Sequence, residues 1–281
     1  MVLQAETATY ALAPAARVAA VGPTALEWDV LSDAGRPGGA SCVVAIMPAR
    51  NSARTLEATI AAIPPGCIDQ VILSDNASAD DTVAIAERLG LTVIRNSTDR
   101  GYGGNMKNCL RAALEAGADL IVELHPDNQY DPRAVPALVE VARESGCAIV
   151  MGSRFLPPRR ALEGGMPWWK FMSNRALTAV NGILMGVRLS EYHSGMRVYA
   201  APWVRTLPLD HMSDGFRLGF QLVAYAAEAG APMREAPAFC RYFDEASQNR
   251  LPGSIRYGLG TLAESARVFL SRLGVAPNRT A

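Results

Sequence analysis

The sequence predicts an α/β fold, in which helices flank a mainly parallel sheet and a more helical region follows the sheet. Between residues 42 and 151, short β-prone apolar runs alternate with segments whose apolar residues recur at helical spacing. Beyond Arg154 this alternation stops and helical stretches dominate. Hydrophobic residues form 49% of the chain and charged residues 19%, a balance that supports a buried core and excludes a disordered chain.

Apolar runs predict the strands of the sheet, at 42–47, 71–73, 91–94, 120–124 and 148–151. The first run is apolar throughout, as a strand buried on both faces requires. Helices are predicted at 56–63, directly after Ser78, at 105–116 and at 132–145. Ser78, with Asp81 three residues later, predicts a capping box for the second of these helices. Strands joined by helices form right-handed βαβ units, so the sheet is expected to be mainly parallel.

The second half of the chain has a different pattern. Helices are predicted at 173–185, 216–229 and 257–273, with short strands near 196–199 and 233–238. Residues 1–40 are rich in Ala, Pro and Gly and lack any period, which predicts a partly disordered arm. We therefore expect three segments: this arm, a first part at 41–155, and a second part of the same domain at 156–281.

Composition and charge exclude several function classes. Lys and Arg together number 27, as do Asp and Glu, so the basic excess of a nucleic-acid-binding protein is missing. The five cysteines include no Cys-x-x-Cys pair, which argues against a disulfide framework or a zinc ribbon and favours the cytoplasm. No apolar run approaches the roughly 20 residues of a membrane span. We expect a cytoplasmic protein that at most contacts a membrane peripherally.

Polar residues follow four of the predicted strands. In a parallel sheet, ligands bind beyond the carboxyl ends of the strands, so these four segments are expected to converge on one crevice. The segments are Pro48-Ala49-Arg50-Asn51, Ser74-Asp75-Asn76-Ala77-Ser78, His125-Pro126-Asp127-Asn128-Gln129 and Gly152-Ser153-Arg154.

The segment after the fourth strand carries a candidate metal site. His125, Asp127 and Gln129 alternate, and alternate residues of an extended segment share one face. One imidazole, one carboxylate and one amide oxygen suit Mg²⁺ or Mn²⁺ held jointly with substrate phosphates. The alternative interpretation is a loop in which Asp127 caps the helix that begins at Pro132.

Two further segments allow a binding role or a structural one. Asp75, at the end of the second strand, is either a turn former or an acceptor for the N–H of a nucleobase. Gly101-Tyr102-Gly103-Gly104-Asn105 is a glycine-rich loop before a helix, where backbone N–H groups either face an anion or form a plain turn. It has neither the Walker A ending nor the position of the Rossmann fingerprint.

Taken in order, these motifs resemble family 2 glycosyltransferases, which have the Rossmann-like GT-A fold. The polyprenyl (dolichyl) phosphate mannose or glucose synthase-like branch is the most similar group, and the resemblance runs from about residue 42 to residue 273. It rests on the four strand-end segments, on the glycine-rich segment, and on Glu191-Tyr192-His193-Ser194-Gly195-Met196-Arg197, which resembles the family's Asp-x-x-Ser-Gly-Phe-Arg. Arg241 through Ser247 resembles the family's terminal Arg…Glu-Ser element.

The resemblance implies roles for individual residues. It assigns catalytic roles to Asp127, Arg154 and Asp214, and metal ligation to Asp127, Gln129 and His125. His125 stands where the family usually has the first Asp of Asp-x-Asp, and Asn76 stands where it has the second Asp of Asp-Asp. The donor-binding residues implied are Pro48, Arg50, Asn51, Asp75, Asn76, Lys107, His125, Arg197 and Arg241.

The function implied is metal-dependent, inverting transfer of a hexosyl unit from a nucleotide-diphosphate sugar to an acceptor, preferentially a polyprenyl phosphate. A phosphate oxygen is already anionic and needs no general base, which agrees with Gly219 at a position where some relatives are acidic. A hydroxyl acceptor would need a base, for which Asp214 or Asp131 are candidates. The alternatives are transfer to a soluble hydroxyl acceptor, nucleotidyl transfer, or nucleotide binding with little catalysis. The Trp168-Trp169 pair is either core or an apolar lip for a lipid.

Overall fold

The computed structural model describes residues 41–242 and 251–280, and these residues form one seven-stranded sheet with helices on both faces. The strand order is β3-β2-β1-β4-β6-β5-β7. The strands are β1 (Val43–Ala49), β2 (Gln70–Asn76), β3 (Thr92–Asn96), β4 (Leu120–Glu123), β5 (Ile149–Ser153), β6 (Arg197–Ala200) and β7 (Met233–Pro237). The helices are α1 (Leu56–Ala61), α2 (Thr82–Arg88), α3 (Gly101–Glu115), α4 (Val135–Ser145), α5 (Arg159–Glu163), α6 (Trp168–Met185), α7 (Ala201–Arg205), α8 (Leu218–Glu228) and α9 (Leu251–Arg272).

The sheet separates two hydrophobic clusters. Along β1, Val44 and Ile46 pack into one cluster, with residues of α3 and α8. Val43, Ala45 and Met47 point the other way, into a cluster with residues of α4. Every residue of β1 is buried, so the prediction of a strand covered on both faces is confirmed.

One strand runs against the others. Neighbouring strands pair in parallel except at β6, which lies between β4 and β5 and is antiparallel to both. The start of β6 therefore lies at the same edge of the sheet as the ends of the remaining strands. In this register Arg197 is directly opposite Glu123. The predicted α/β class and mainly parallel sheet are confirmed, with the second half contributing β6 and β7.

Several predicted boundaries are wrong by a turn or more. Helix α3 begins at Gly101 rather than Asn105, α6 at Trp168 rather than Ser173, and α9 at Leu251 rather than Tyr257. The predicted capping box is also wrong. Helix α2 begins after Asp81, whose side chain makes no capping bond, while the Ser78 hydroxyl accepts the N–H of Asn51.

The N-terminal arm predicted at residues 1–40 and the Glu245–Ser247 part of the terminal element lie outside the described residues. In the described ranges, none of the helices combines the length and the apolarity needed to cross a bilayer.

Candidate active site

A cavity of about 940 Å³ lies at the edge of the sheet where the parallel strands end, and helices α6 and α9 close its other side. The strand ends that the sequence predicted to converge do line it. The predicted site residues that line this cavity are Pro48, Arg50, Asn76, His125, Asp127, Gln129, Arg154 and Arg197. Those that do not are Asn51, Asp75, Lys107, Asp131, Asp214 and Arg241.

Asp75 is buried at the end of β2, and its two carboxylate oxygens differ. Oδ2 accepts the N–H of Ser78 at 3.1 Å, which fixes the turn. Oδ1 is buried and has no hydrogen-bond partner in the described part of the chain. Such an oxygen is costly to leave unsatisfied, so it is suited to accept an N–H from a ligand. The turn-forming interpretation of Asp75 is confirmed, and its role as an acceptor for a nucleobase stays a prediction.

The loop after β3 completes the same corner, although the sequence pattern did not single it out. Asp99 forms an ion pair with Arg50 and accepts a hydrogen bond from Asn76 Nδ2 at 2.7 Å. Asn76 Oδ1 accepts the N–H of Arg100 at 2.8 Å. Asn51 braces the neighbouring loop instead, because its Oδ1 accepts the N–H of Ala79.

The segment that follows β4 is a turn, and the predicted extended alternation of His125, Asp127 and Gln129 is wrong. The strand ends at Glu123, and Asn128 has a φ of +56°, in the left-handed region that Asn tolerates. Asp127 Oδ1 accepts the N–H of Gln129 at 3.1 Å within this turn. Asp131, rather than Asp127, caps the short helical turn at Pro132. The three predicted metal ligands still line the cavity together.

One acidic residue, Glu123, and the basic His125 beside it set the charges at the cavity floor. Burial raises the pKa of Glu123, but the charge of Arg197 and the hydrogen bond from His125 outweigh that effect and lower the pKa to about 2. The same contact raises the pKa of His125, because its bond and charge interaction with Glu123 outweigh the effect of burial. Glu123 is a buried carboxylate to which the sequence analysis assigned no role.

The glycine-rich segment, for which the sequence left open an anion-facing loop or a plain turn, is the first turn of helix α3. The N–H groups of Gly103 and Gly104 donate to the backbone oxygen of Asp214. A side chain at Gly103 would collide with the backbone of Ser213 and Gly215. The glycines therefore allow the first turn of α3 to pack against residues 213–215.

Lys107 and Asp214, which the resemblance assigned to donor binding and catalysis, contact each other. Lys107 is buried in α3, and its Nζ donates to Asp214 Oδ1 at 2.8 Å and to the backbone oxygen of Met212 at 2.7 Å. Asp214 itself is exposed. The pair holds residues 212–214 against α3, and neither side chain lines the cavity. Their assigned roles remain predictions that this geometry does not favour.

Arg154 forms a buried ion pair on the other side of the cavity. Its Nε donates to Glu191 Oε1 at 2.8 Å, and its backbone N–H donates to Glu191 Oε2 at 2.9 Å. Lys170, at the start of α6, also lines the cavity and lies 5.0 Å from the ring centroid of Tyr242. Burial, with a further effect of the Arg154 charge, lowers the pKa of Lys170. Lys170 is a second residue that the sequence reasoning missed.

Arg197 and Gly219 are in close contact. A Cβ at position 219 would lie 2.6 Å from Arg197 Nη1, so only glycine leaves the guanidinium in its present place. The Nε of Arg197 is buried and unpartnered among the described residues. Arg241, by contrast, is exposed at the surface, and its backbone N–H donates to the Gln129 oxygen.

His193 lines the cavity near Arg154 and Arg197. Its ring stacks on Phe220 and meets Tyr257 edge-on, with Nδ1 3.4 Å from the Tyr257 hydroxyl. Burial lowers the pKa of His193 to about 4, and the charges of Arg154 and Arg197 add to that shift against the opposing effect of Glu191. The imidazole is therefore neutral near pH 7.

Helices α6 and α9 form the apolar end of the cavity and carry exposed apolar side chains beyond it. Met166, Trp169, Leu177, Leu259 and Leu262 line this end. Trp168 is 73% exposed and Trp169 46%, so the Trp pair is a lip rather than core. Outside the cavity the exposed apolar residues continue with Met172, Val180 and Ile183 on α6 and Leu270 on α9.

The side chains near Asp127 offer few ligand atoms for a divalent cation. In residues 41–242 and 251–280, no three His, Cys, Asp or Glu side chains are grouped so that they could hold a metal ion. Asp127 and Gln129 together offer one carboxylate and one amide oxygen on the cavity wall. This oxygen set fits Mg²⁺ or Mn²⁺ only if substrate phosphates and water supply the other ligands, which is how Mg²⁺ is commonly held.

Comparison with known proteins gives three findings. The sequence profile of Glycosyl transferase family 2 matches residues 44–199. An undecaprenyl-phosphate mannosyltransferase of Micrococcus luteus is 27% identical over 250 residues, which cover 83% of this chain and 99% of the relative. A UDP-N-acetylglucosamine–dolichyl-phosphate N-acetylglucosaminyltransferase of Methanococcus voltae is 24% identical over 179 residues, covering 58% of this chain and 70% of the relative.

Solved structures of a glucosyl-3-phosphoglycerate synthase of Mycobacterium tuberculosis share the fold. The complex with Mg²⁺ and uridine diphosphate superposes with a TM-score of 0.61 at 20% identity, covering 92% of this chain and 86% of that one. The complex with phosphoglyceric acid superposes with a TM-score of 0.60 at 20% identity, covering 87% and 88%. The GT-A fold implied by the motifs is thereby confirmed.

Proposed function

The chain belongs to glycosyl transferase family 2, and from this premise we propose that it transfers a hexosyl unit, with inversion, from a nucleotide-diphosphate sugar to a phosphate-bearing acceptor, preferentially a polyprenyl phosphate. Membership of a glycosyltransferase family leaves the nucleotidyltransferase alternative without support. One observation carries the proposal: a single cavity joins a polar corner at the strand ends, three buried or half-buried cations, and an apolar end between α6 and α9.

The polar corner suits the nucleotide part of the donor. Pro48, Arg50 and Asn76 line this wall, and Asp75, next to Asn76 at the end of β2 but outside the cavity lining, has an unpartnered Oδ1 that would accept an N–H of the base. Asp127 and Gln129 would then hold Mg²⁺ or Mn²⁺ together with the donor diphosphate. That metal supplies positive charge for the leaving nucleoside diphosphate. The Mycobacterium tuberculosis synthase, which shares this fold, has been crystallised with Mn²⁺ and uridine-diphosphate-glucose.

The cations suit a phosphate on the acceptor. Arg154, Lys170 and Arg197 line the cavity, and the charge of Arg154 acts on Lys170. A guanidinium binds phosphate oxygens in a planar, two-bond geometry. Neither candidate base lines the cavity, because Asp214 is paired with Lys107 and Asp131 with Arg133. An acceptor that is already anionic avoids the need for either.

The apolar end suits a polyprenyl chain. The exposed apolar residues of α6 and α9 continue from the mouth of the cavity across the surface, and a patch of this kind is typical of a lipid or protein contact. Exposed Trp side chains favour the membrane interface. We therefore propose peripheral contact with a membrane surface through Trp168, Met172, Val180 and Ile183. The relatives from Micrococcus luteus and Methanococcus voltae, by their names, act on undecaprenyl and dolichyl phosphates.

The decisive test compares acceptors at fixed donor. Purified protein is first screened with nucleoside diphosphates and Mn²⁺ for a rise in melting temperature, which selects the donor nucleotide. Transfer of labelled sugar is then measured to a short-chain polyprenyl phosphate, to phosphoglycerate and to a sugar hydroxyl. We expect the polyprenyl phosphate to be preferred. Activity with phosphoglycerate alone would assign a soluble acceptor, and activity confined to the hydroxyl would overturn the phosphate proposal.

The metal role has its own variant. Asp127→Asn should lower the transfer rate about 100-fold or more, because the carboxylate that holds the metal is lost. Asp210→Asn, a change at an exposed residue paired with Arg111, is the matched control and should keep full activity. Unchanged activity and unchanged Mn²⁺ dependence in Asp127→Asn would overturn the metal assignment.

The membrane role is tested with a double variant outside the cavity. Trp168→Gln with Ile183→Gln should lower transfer to polyprenyl phosphate embedded in vesicles, while transfer to a short-chain, water-soluble acceptor stays unchanged. Equal losses with both acceptors would contradict a docking role for this surface.

A further inference from the structure

Glu123 is a charged side chain in a place where the core is otherwise apolar. It is the last residue of β4, its exposure is 0%, and the three strand residues before it are buried and apolar. A buried carboxylate costs several kcal/mol unless its oxygens are bonded to suitable partners. The identity of those partners therefore indicates what the residue is for.

The two oxygens of Glu123 have separate sets of partners. Oε1 accepts from the Tyr102 hydroxyl at 2.7 Å and is 3.3 Å from His125 Nε2. Oε2 accepts from the Tyr199 hydroxyl at 2.6 Å and from Arg197 Nη1 at 3.4 Å. Each oxygen thus has one tyrosine hydroxyl and one basic side chain.

The two sets face different parts of the cavity. His125 begins the turn that carries Asp127 and Gln129, where the donor diphosphate is proposed to bind. Arg197 lies against Gly219 at the start of α8 and is proposed to meet the acceptor. The antiparallel insertion of β6 makes this sharing possible, because it places Arg197 directly opposite Glu123 in the sheet.

We propose that Glu123 is a positioning residue that links the two substrates: Oε1, with Tyr102, holds His125 and the donor-side turn, and Oε2, with Tyr199, holds Arg197 on the acceptor side. This inference rests on the proposed function, since it uses the donor and acceptor positions assigned above. In this proposal Glu123 touches neither substrate and acts through the two basic side chains that it contacts.

The matched tyrosines allow each oxygen to be tested separately. Tyr102→Phe and Tyr199→Phe each remove one hydroxyl from one oxygen and keep the aromatic ring. Hydrogen bonds to charged groups are the stronger ones, so a change of about tenfold is expected from each. Tyr102→Phe should raise the KM for the donor about tenfold and leave the KM for the acceptor unchanged. Tyr199→Phe should raise the KM for the acceptor about tenfold and leave the donor KM unchanged.

Glu123→Gln completes the set. It keeps the shape of the side chain and removes the charge shared by both oxygens, so it should raise both KM values. Because it leaves Arg197 without a counter-charge in the core, its melting temperature is measured alongside, and the conclusion rests on the tyrosine pair, which keeps the ion pair intact. A purely structural role predicts a different result. Each tyrosine variant would then lose activity in proportion to the fall in its melting temperature, with no split between the donor KM and the acceptor KM.

The outcomes separate this inference from the proposed function. If the wild-type protein transfers sugar but both tyrosine variants change the same KM, or neither KM, the linking role of Glu123 is wrong and the function stands. If the wild type transfers sugar to none of the acceptors, the proposed function is wrong. Binding of the selected nucleoside diphosphate with Mn²⁺ then still tests the donor half, since only Tyr102→Phe should weaken it.

Discussion

The two sides of the cavity, for which we propose donor binding and acceptor binding, hold their charged groups in different environments. On the donor side, Arg50 and Asp99 form an ion pair whose side chains are 50% and 44% exposed. On the acceptor side, Arg154 and Glu191 are 10% and 0% exposed. Water screens the first pair, and a substrate can separate it at small cost. The second pair is buried and held in one geometry, so the Arg154 guanidinium keeps a fixed position in the cavity lining.

The largest effect is expected where the buried pair is broken. Arg154→Met should lower the free energy of unfolding by about 3–5 kcal/mol, because Glu191 is left buried without its counter-charge. Urea unfolding of the purified variant measures this loss.

A double variant sharpens the same test. Adding Glu191→Met to Arg154→Met removes the orphaned charge, so most of the stability should return while transfer activity stays low. If the single variant loses less than about 1 kcal/mol, the Arg154–Glu191 pair contributes no more to stability than an exposed ion pair does. That result would contradict the contrast between the two sides of the cavity.

The close contact between the first turn of α3 and residues 213–215 should show the next largest effect on stability. Gly103→Ala places a methyl group against the backbone of residues 213–215, so α3 or that segment must shift, at a cost of about 1–3 kcal/mol. Gly258→Ala in α9 is the matched control, because its new methyl group would lie 3.6 Å from Leu177, an ordinary contact. Alanine also favours a helix over glycine, so the control should be neutral or slightly stabilising. Equal melting temperatures for the two variants would show that the contact between α3 and residues 213–215 tolerates the added methyl group.

The two cavity histidines extend the comparison to pH, since the pKa of His125 is raised and that of His193 is lowered to about 4. The unfolded chain protonates His193 near its usual pKa of 6.5, whereas the folded chain does not until about pH 4. The stability contributed by the neutral imidazole is therefore complete above that usual pKa and is lost as the pH falls towards 4. The loss is at most about 1.4 kcal/mol per pH unit.

The corresponding experiment compares His193→Gln with the wild type. The unfolding free energy of the variant should fall less steeply with decreasing pH across this window. Parallel curves for the two proteins would contradict the burial of a neutral His193.

The smallest effect is expected for the exposed pair. Arg50→Met should change the unfolding free energy by less than about 1 kcal/mol, because the pair is screened by water. If Arg50 contacts the donor as proposed, the donor KM should rise even though stability does not change. An unchanged donor KM would remove Arg50 from the donor side.

Local sequence patterns were sufficient to predict the strands of the sheet but not the order in which they pair. Strand β1 was predictable because an apolar run without alternation has few other solutions. The insertion of β6 between β4 and β5 was not, because it depends on a pairing between Glu123 and Arg197, 74 residues apart in the chain. The one signal available was a lone carboxylate at the end of an apolar strand.

The candidate site was predictable as a set of strand ends and less so in its geometry. Asp127 and Gln129 were found, but a single left-handed residue, Asn128, converts the expected extended segment into a turn. Gly101, Gly103 and Gly104 indicated a loop. In the structure they allow the first turn of α3 to pack closely against residues 213–215. Lys170 escaped notice because nothing local distinguishes a cavity-lining lysine from a surface one.

The position of β5 in the sheet has a consequence for how the chain folds. Its sheet neighbours in the described residues are β6 and β7, both of which come after residue 196. During synthesis, β5 must therefore wait for at least 40 further residues before it acquires a hydrogen-bonded partner. Such long sequence separations slow folding and extend the time that an apolar strand is unprotected. A fragment that stops at residue 155 would leave β5 without a hydrogen-bonded partner in the sheet. We therefore do not expect residues 41–155 to fold as an independent unit. The two halves of the cavity should form in the same folding step.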